Sequence, residues 1–311
     1  MSHIERALEL AERGRGTTHP NPVVGAVVVT PGGTVVGEGW HEHAGGPHAE
    51  LVALRAAGGR AAGATLYATL EPCSRFGRTP PCVDAIVGAG VVKVVVGSDD
   101  PSQEGVERLR ELDVEVEVLN LWAARRQNEA WRTWKTLERP FVTYKAAVTL
   151  DGRVRVPGSR WISGEESRRL VHELRAQSDA VGVGMGTVRA DDPKLDARDV
   201  AAERQPRRIA FGLGPLPDGS ELELRSGEPV EELRALAHEG VQSLLLEGGP
   251  TIATAFLERS LIDKLLLFVA PTLSGAGPHV FNDFAGPVGL ARTSVRHVGV
   301  DVLFEGYLRE P

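Results

Sequence analysis

The 311-residue chain has two cysteines, Cys73 and Cys82, and five lysines against thirty arginines. It has no continuous apolar run near the roughly 18 residues that a membrane span needs. Two cysteines exclude a disulfide scaffold of the small secreted kind. No signal peptide is expected, because MSHIERALELAERGRG reads as a charged amphipathic helix. A cytoplasmic protein is the expectation. There a cysteine pair binds metal or does redox chemistry more often than it forms a bridge. The formal net charge of −7 argues against a broad nucleic-acid face, though local arginines remain able to hold a phosphate. The lysine shortage is a compositional bias and carries no functional weight. At 42% hydrophobic and 25% charged, the composition is that of an ordinary globular protein. The length favours two domains, at about 150 residues each.

The first half alternates helix and strand. Ser2 and Glu5 match a capping box opening a helix to about Arg13. VVGAVVVT (23–30) is almost wholly apolar and predicts a buried strand, and Gly32-Gly33 predicts a hairpin into TVVGEGW. HAELVALRAAG predicts a helix, ATLYATL a strand, PPCVDAIVGAG a short helix, and VVKVVVG and VEVEVL two more strands. That makes a sandwich of about five strands over 1–138. The pattern restarts at Glu138-Arg139-Pro140 with FVTYKAAVTL. A helix between Gly158 and Arg175 follows, then strands at DAVGVG, RRIAFGL, QSLLLEGG and DKLLLFVAP, with TIATAFLERSL an amphipathic helix between the last two. This second α/β domain covers 139–311. Residues 215–229 read as a surface loop, and Trp122, Trp131 and Trp134 as packing at the domain junction.

His48, Cys73 and Cys82 fall at the ends of predicted elements. One histidine and two cysteines make a three-ligand zinc site, which leaves a fourth position for water and so marks catalysis. Zinc lowers the pKa of that water towards neutrality. Glu50, two residues after His48, is placed to shuttle protons without binding metal. H-x-E followed by P-C and C is the zinc-deaminase signature. The pattern departs from C-x-x-C, with eight residues between the cysteines. The plainer alternative is a chance HAE beside two ordinary cysteines.

HPNPVVGAVV (19–28), GWHEHAGGPHAE (39–50) and EPCSRFGRTPPC (71–82) resemble the deaminase half of the bifunctional riboflavin-biosynthesis deaminase–reductase family, whose long spacer GRTPPC sets it apart from cytidine and tRNA-adenosine deaminases. The resemblance implies a cytidine-deaminase-like α/β/α sandwich, Zn²⁺ on His48, Cys73 and Cys82, and Glu50 as proton shuttle. It sets Asn21, His41, Arg78 and Thr79 near the pyrimidine or its ribose phosphate. Arg75 stands where the family has histidine, and 99–109 is shorter than usual. Arg75 is read either as a phosphate contact or as a solvated loop residue.

LLLEGGPTIATAFLE (244–258) runs from an apolar strand through Gly-Gly to a helix start, whose free N–H groups and dipole suit phosphate. GVGMGTV (182–188) is G-x-G-x-G and does not support a Rossmann domain. Alone, both stretches suit tight turns. KAAVTLDGR, SRWISG, LRAQSDAVGVGMGTVRADDPKL and LLLEGGPT, however, resemble the family's reductase half, which is dihydrofolate-reductase-like. The resemblance implies an NADPH site lined by Val148, Trp161, Thr187 and Asp191, with Gly249, Pro250, Thr251, Ile252, Ala253, Thr254 and Ala255 at cofactor phosphate. Ser159, Arg175, Leu195, Arg198 and Glu247 would contact the sugar phosphate, a role that suits arginine's planar fork. Lys145 and Asp151 are candidates for proton handling. A salt bridge and a turn are their respective alternatives.

The expected function is zinc-dependent deamination of 2,5-diamino-6-(5-phosphoribosylamino)pyrimidin-4(3H)-one, then NADPH-dependent reduction of its ribosyl chain to ribityl. The partners are a small-molecule substrate and further copies of the chain, as a dimer or tetramer, with no nucleic acid and no membrane. The rivals are a zinc deaminase of another nucleoside or a tRNA base, a chain with only the reductase half active, and a non-catalytic module.

Overall fold

The computed structural model describes residues 1–76, 80–202 and 204–311. The chain folds as two compact units, Met1–Thr136 and Leu137–Glu310. Among the described residues no helix is long and apolar enough to cross a membrane.

The first unit opens with α1 (His3–Glu12), started by the Ser2–Glu5 capping box. β1 (Gly25–Val29) and β2 (Val35–Trp40) pair antiparallel through the expected hairpin. α2 (Ala49–Ala57), β3 (Thr65–Ala68), α3 (Cys82–Gly88), β4 (Lys93–Val96), α4 (Gly105–Glu111) and β5 (Glu115–Val118) follow. The sheet order is β2-β1-β3-β4-β5, with β3, β4 and β5 parallel. β1 is apolar throughout because both its faces are covered. Ala26 and Val28 pack with Ala49, Ala53 and Ile86 from α2 and α3, while Val27 and Val29 meet Ile4, Ala7 and Leu10 of α1. Each valine so buried contributes about 1.5–3 kcal/mol. Two short helices, α5 (Trp122–Gln127) and α6 (Glu129–Leu137), follow the sheet.

The second unit is built on β6 (Phe141–Thr149), and continues with α7 (Glu165–Gln177), β7 (Ala180–Gly184), α8 (Met185–Asp191), β8 (Arg207–Phe211), β9 (Glu223–Arg225), α9 (Pro229–His238), β10 (Ser243–Leu246), α10 (Pro250–Glu258), β11 (Lys264–Ala270), β12 (Ala291–Val298) and β13 (Asp301–Tyr307). Its eight-stranded sheet has the order β12-β13-β11-β6-β10-β7-β8-β9. Six strands, from β11 to β9, run parallel, and β13 joins β11 antiparallel. Alternate residues of β6, from Val142 to Val148, pack with Leu233 and Leu236 of α9 and Ala253 and Phe256 of α10. Val171 of α7 packs with Leu266, Phe268 and Leu303.

Two elements depart from the sequence expectation. The proposed loop at 215–229 contains β9, a polar edge strand whose Glu223 pairs with Arg207 and whose Arg225 pairs with Glu239. GVGMGTV is a strand end as read, with β7 closing at Gly184 and α8 starting at Met185. β12 escapes the pattern because seven of its eight residues are exposed; pairing with β13, not burial, makes it a strand.

The start of β6 is locked by a buried ion pair. Arg139 donates two 2.7 Å hydrogen bonds to Asp263, which also accepts from Val142 N–H at 2.8 Å. Removing one partner strands a buried charge. Asp263→Ala is expected to lower unfolding free energy by about 3–5 kcal/mol in urea titrations. A loss below 1 kcal/mol would show that the pair is dispensable.

Candidate active sites

The first candidate site forms where β3 ends and two helices begin. His48 is the N-cap of α2, Cys82 is the first residue of α3, and Cys73 lies in the turn after β3. His48 Nδ1 is 3.2 Å from Cys82 Sγ and 3.5 Å from Cys73 Sγ, and the three donor atoms lie within 4.8 Å of one another. Cys82 N–H at the α3 start donates to Cys73 Sγ at 3.3 Å. Hydrogen bonding from the Cys82 thiol holds Cys73 towards the thiolate despite its burial, with help from His48. The same contact pushes the Cys82 thiol up. A divalent cation among the three donors would relieve that competition, because both thiols would then give up their protons.

Glu50 is 3% exposed, its Oε2 has no hydrogen-bond partner, and burial pushes its carboxyl up. A buried carboxylate oxygen left unpaired is costly unless a ligand or substrate meets it. The soft S, S, N donor set and this orphaned oxygen together fit a zinc ion with a proton-handling neighbour.

His41 lies beside the donor set and Asn21 beside His41. Asn21 Nδ2 donates to His41 Nε2 at 3.1 Å, which leaves the ring proton on Nδ1 to donate to Pro47 O at 3.0 Å. Burial pushes the His41 imidazole down, in keeping with this neutral tautomer. His41 stacks edge-on to His48, with centroids 5.6 Å apart. Arg78 and Thr79 lie outside the described residues. Arg75 is exposed, 3.9 Å from Glu104.

Two supports escaped the sequence reading. Glu71 accepts from Asp100 N–H at 3.0 Å and Val106 N–H at 2.9 Å, so the carboxylate before Pro72-Cys73 ties this turn to the loop after β4 and to the start of α4. Gly105 at the α4 start presses on that turn, and a Cβ there would sit 1.8 Å from Pro72 O. Buried Asn128 clamps Val23 by two 2.9 Å bonds to its N–H and C=O, fixing the loop that carries Asn21. Only the E-P-C run hinted at Glu71. Nothing in the sequence singled out Asn128.

The second candidate site is a cleft of about 1210 Å³ in the second unit. Glu247 follows β10, and the parallel register Leu246–Tyr144 puts it beside Lys145 of β6. Arg175 of α7 donates to both Glu247 oxygens at 2.6 and 3.0 Å, and Lys145 Nζ lies 3.4 Å away. Burial pushes the Glu247 carboxyl up, but Lys145 and Arg175 outweigh it, and the net direction is down.

Ser159, Trp161, Thr187, Asp191, Arg198, Gly249, Pro250, Thr251 and Ile252 line the same cleft. α10 starts without a side-chain cap at Gly249, whose N–H donates to Thr187 Oγ1 at 3.3 Å. A Cβ on Gly248 would meet Ile252 Cγ2 at 2.0 Å, so only glycine allows this approach. The open helix start and the glycine cradle fit a phosphate-bearing cofactor.

The cleft does not gather every expected residue. Val148 and Leu195 are buried in the core, and Ala253, Thr254 and Ala255 lie further along α10, away from the cleft lining. Asp151 is outside the lining as well. Its carboxylate accepts from Thr149 Oγ1 at 2.6 Å and from the N–H groups of Ser274 at 2.9 Å and Gly275 at 2.8 Å. These bonds hold it well below the usual carboxylate range, as a turn clamp in the ionised form. Arg155, Arg160, Arg168 and His172 line the cleft too. Of these, Arg168 and His172 share a helix face with Arg175 at four- and three-residue spacing, a signal the sequence did carry.

Residues 1–98 match the family model described as the cytidine and deoxycytidylate deaminase zinc-binding region, and 140–213 with 220–304 match the RibD C-terminal domain. The riboflavin biosynthesis protein RibD of Aquifex aeolicus is 42% identical, over 89% of this chain and 88% of its own length. The chain belongs to the RibD family. RibD of Escherichia coli is 36% identical over 96% of this chain and 97% of its own. The Acinetobacter baumannii RibD structure superposes with a TM-score of 0.86 at 34% identity, covering 98% and 97% of the two chains. As a RibD, this is a bifunctional deaminase and reductase of riboflavin biosynthesis.

Glu247 gives a pH test. Its folded pKa is below the ordinary 4.5, so its stabilisation is complete above that value and fades as pH falls through the lower folded one. Glu247→Gln is expected to lose about 3 kcal/mol near neutrality and to flatten the acid limb of the stability profile. Urea midpoints measured between about pH 7 and pH 3 check this. Parallel wild-type and variant profiles would contradict it.

Proposed function

We infer that the first unit hydrolyses the ring amine of 2,5-diamino-6-(5-phosphoribosylamino)pyrimidin-4(3H)-one, and that the second reduces the product's ribosyl chain to ribityl with NADPH. The observation that carries this reading is Glu50, buried and with one oxygen unpaired, two residues from a His-Cys-Cys donor set. His48, Cys73 and Cys82 would hold zinc, which when bound supplies the Lewis acidity that makes water a competent nucleophile near neutral pH.

Glu50 takes one proton from the attacking water and passes it to the ring nitrogen, then takes the hydroxyl proton of the adduct and passes it to the departing ammonia. Burial suits it to both tasks, because a carboxyl pushed up is able to hold a proton as well as to give one. Asn21 and neutral His41 present polar groups to the pyrimidine or its sugar. Arg78 and Thr79 keep their expected substrate role.

In the second unit, bound NADPH supplies the hydride, and the protein supplies orientation. Gly249–Ile252 and Thr187 hold the cofactor at the α10 start, with Asp191 and Trp161 on the cleft wall. Ser159, Arg175 and Arg198 take the sugar phosphate, and Val148 and Leu195 contribute through their main chain. Lys145 is the stronger candidate for the proton step, since it lines the cleft, and Glu247 keeps it in place. Asp151 holds the adjoining turn. The reading includes a cytoplasmic homo-oligomer, dimer or tetramer.

Two variants test the deaminase. Glu50→Gln is expected to cut ammonia release by about 10²–10⁴-fold while zinc content stays stoichiometric. Cys73→Ser is expected to lose zinc, measured by atomic emission on purified protein. Full ammonia release by Glu50→Gln, or a full zinc load in Cys73→Ser, would remove the respective role.

A further inference from the structure

The cleft of the second unit carries two kinds of cation. Lys145 and Arg175 share Glu247 as ion-pair partner, and Arg198 pairs with Asp196 at 2.8 Å. Arg160 and Arg168 have no carboxylate within ion-pair distance among the described residues, although Glu165 and Glu166 line the same cleft. Both guanidinium carbons instead lie over the Trp161 ring, 5.0 and 5.1 Å from its centroid. Trp161 is 51% exposed, an unusual place for a large indole unless something is to be bound there.

The platform is set before any ligand arrives. Ser159 Oγ donates to Trp161 O at 2.7 Å and accepts from Trp161 N–H at 3.3 Å. Arg168 is tethered by one 2.6 Å bond from Nη1 to Ser163 O. Stacking on an aromatic face fixes the plane of a guanidinium without consuming its charge or its remaining N–H donors. Two such cations, uncompensated in a chain of net charge −7, are matched to a dianion with several acceptor oxygens.

We propose that Arg160 and Arg168, held on Trp161, are specificity-determining residues that recognise a phosphomonoester. The proposal rests on the reductase reading above and deepens it. The phosphomonoester belongs either to the cofactor, as the 2′-phosphate that distinguishes NADPH from NADH, or to the substrate, as its 5′-phosphate. The recognition chemistry is the same in both cases.

The test uses the full chain and two probes, adenosine 2′,5′-bisphosphate and ribose 5-phosphate, in titration calorimetry. Wild type is compared with the Arg160→Gln/Arg168→Gln double variant. Arg169→Gln serves as the charge control, because Arg169 lines the cleft but faces Glu173 at 3.8 Å and does not stack on Trp161. The double variant is expected to weaken one probe at least tenfold, and Arg169→Gln to change it less than twofold. Weakening of the bisphosphate assigns the clamp to the cofactor, and a matching fall in the NADPH-over-NADH ratio of kcat/KM follows. Weakening of ribose 5-phosphate assigns it to the substrate. Unchanged affinity for both probes in the double variant, no binding of either by wild type, or equal weakening by Arg169→Gln would overturn the proposal. Binding is read without turnover, so a chain that fails to oxidise NADPH sinks the reductase reading and leaves the clamp test standing.

Discussion

Both sites depend on one constraint: a helix must start hard against the carboxyl end of a parallel strand. In the first unit β3 leads into the Cys73 turn and α3 returns its first N–H to that cysteine's sulfur. In the second, β10 leads through Glu247 and two glycines into α10. Strand ends of open parallel sheets are where such crevices form, since helices cover the faces and leave the edges of the turns free. The close approach requires glycine, against a main-chain oxygen in the first unit and a side-chain methyl in the second. At Gly105 and Gly248 one added carbon would sit 1.8 Å from Pro72 O and 2.0 Å from Ile252 Cγ2.

Electrostatics then separates what holds the second site together from what is left for a ligand. Glu247 is buried, yet it stays ionised because two cations flank it. Its one negative charge is shared between Lys145 and Arg175. The cost of burying such a group is offset only when its partners are in place, so the trio holds Lys145 and Arg175 in fixed positions on the cleft floor. Arg160 and Arg168 are held by an aromatic face, which leaves their charge available. A protein with an acidic total can therefore present a locally cationic cleft to anionic ligands.

The sequence revealed most of the architecture wherever burial shaped it. VVGAVVVT is apolar because both faces of β1 are covered, and FVTYKAAVTL reads as a strand for a related reason. β9 and β12 were not legible, because an edge strand owes its form to a neighbour's hydrogen bonds and needs no apolar pattern. The metal ligands and Glu50 stood out through residue type and order. Asp151 also stood out, but its residue type gave no sign of the three hydrogen bonds that tie it into the turn. Asn128 was invisible because its partner, Val23, is 105 residues away and is bound by its main chain.

The eight-residue spacer between the cysteines follows from the same geometry. What fixes Cys82 beside Cys73 is closure of the turn by Cys82 N–H on the sulfur and by Val83 N–H on Cys73 O, both at 3.3 Å. Neither bond depends on how many residues intervene. Growing the spacer from two residues to eight is two doublings, at about 0.6 kcal/mol each in loop-closure entropy. That is small beside the ~10 kcal/mol scale on which zinc binds donor sets of this kind. The spacer is thus free to lengthen, while the donor set stays where the strand end and the helix start put it.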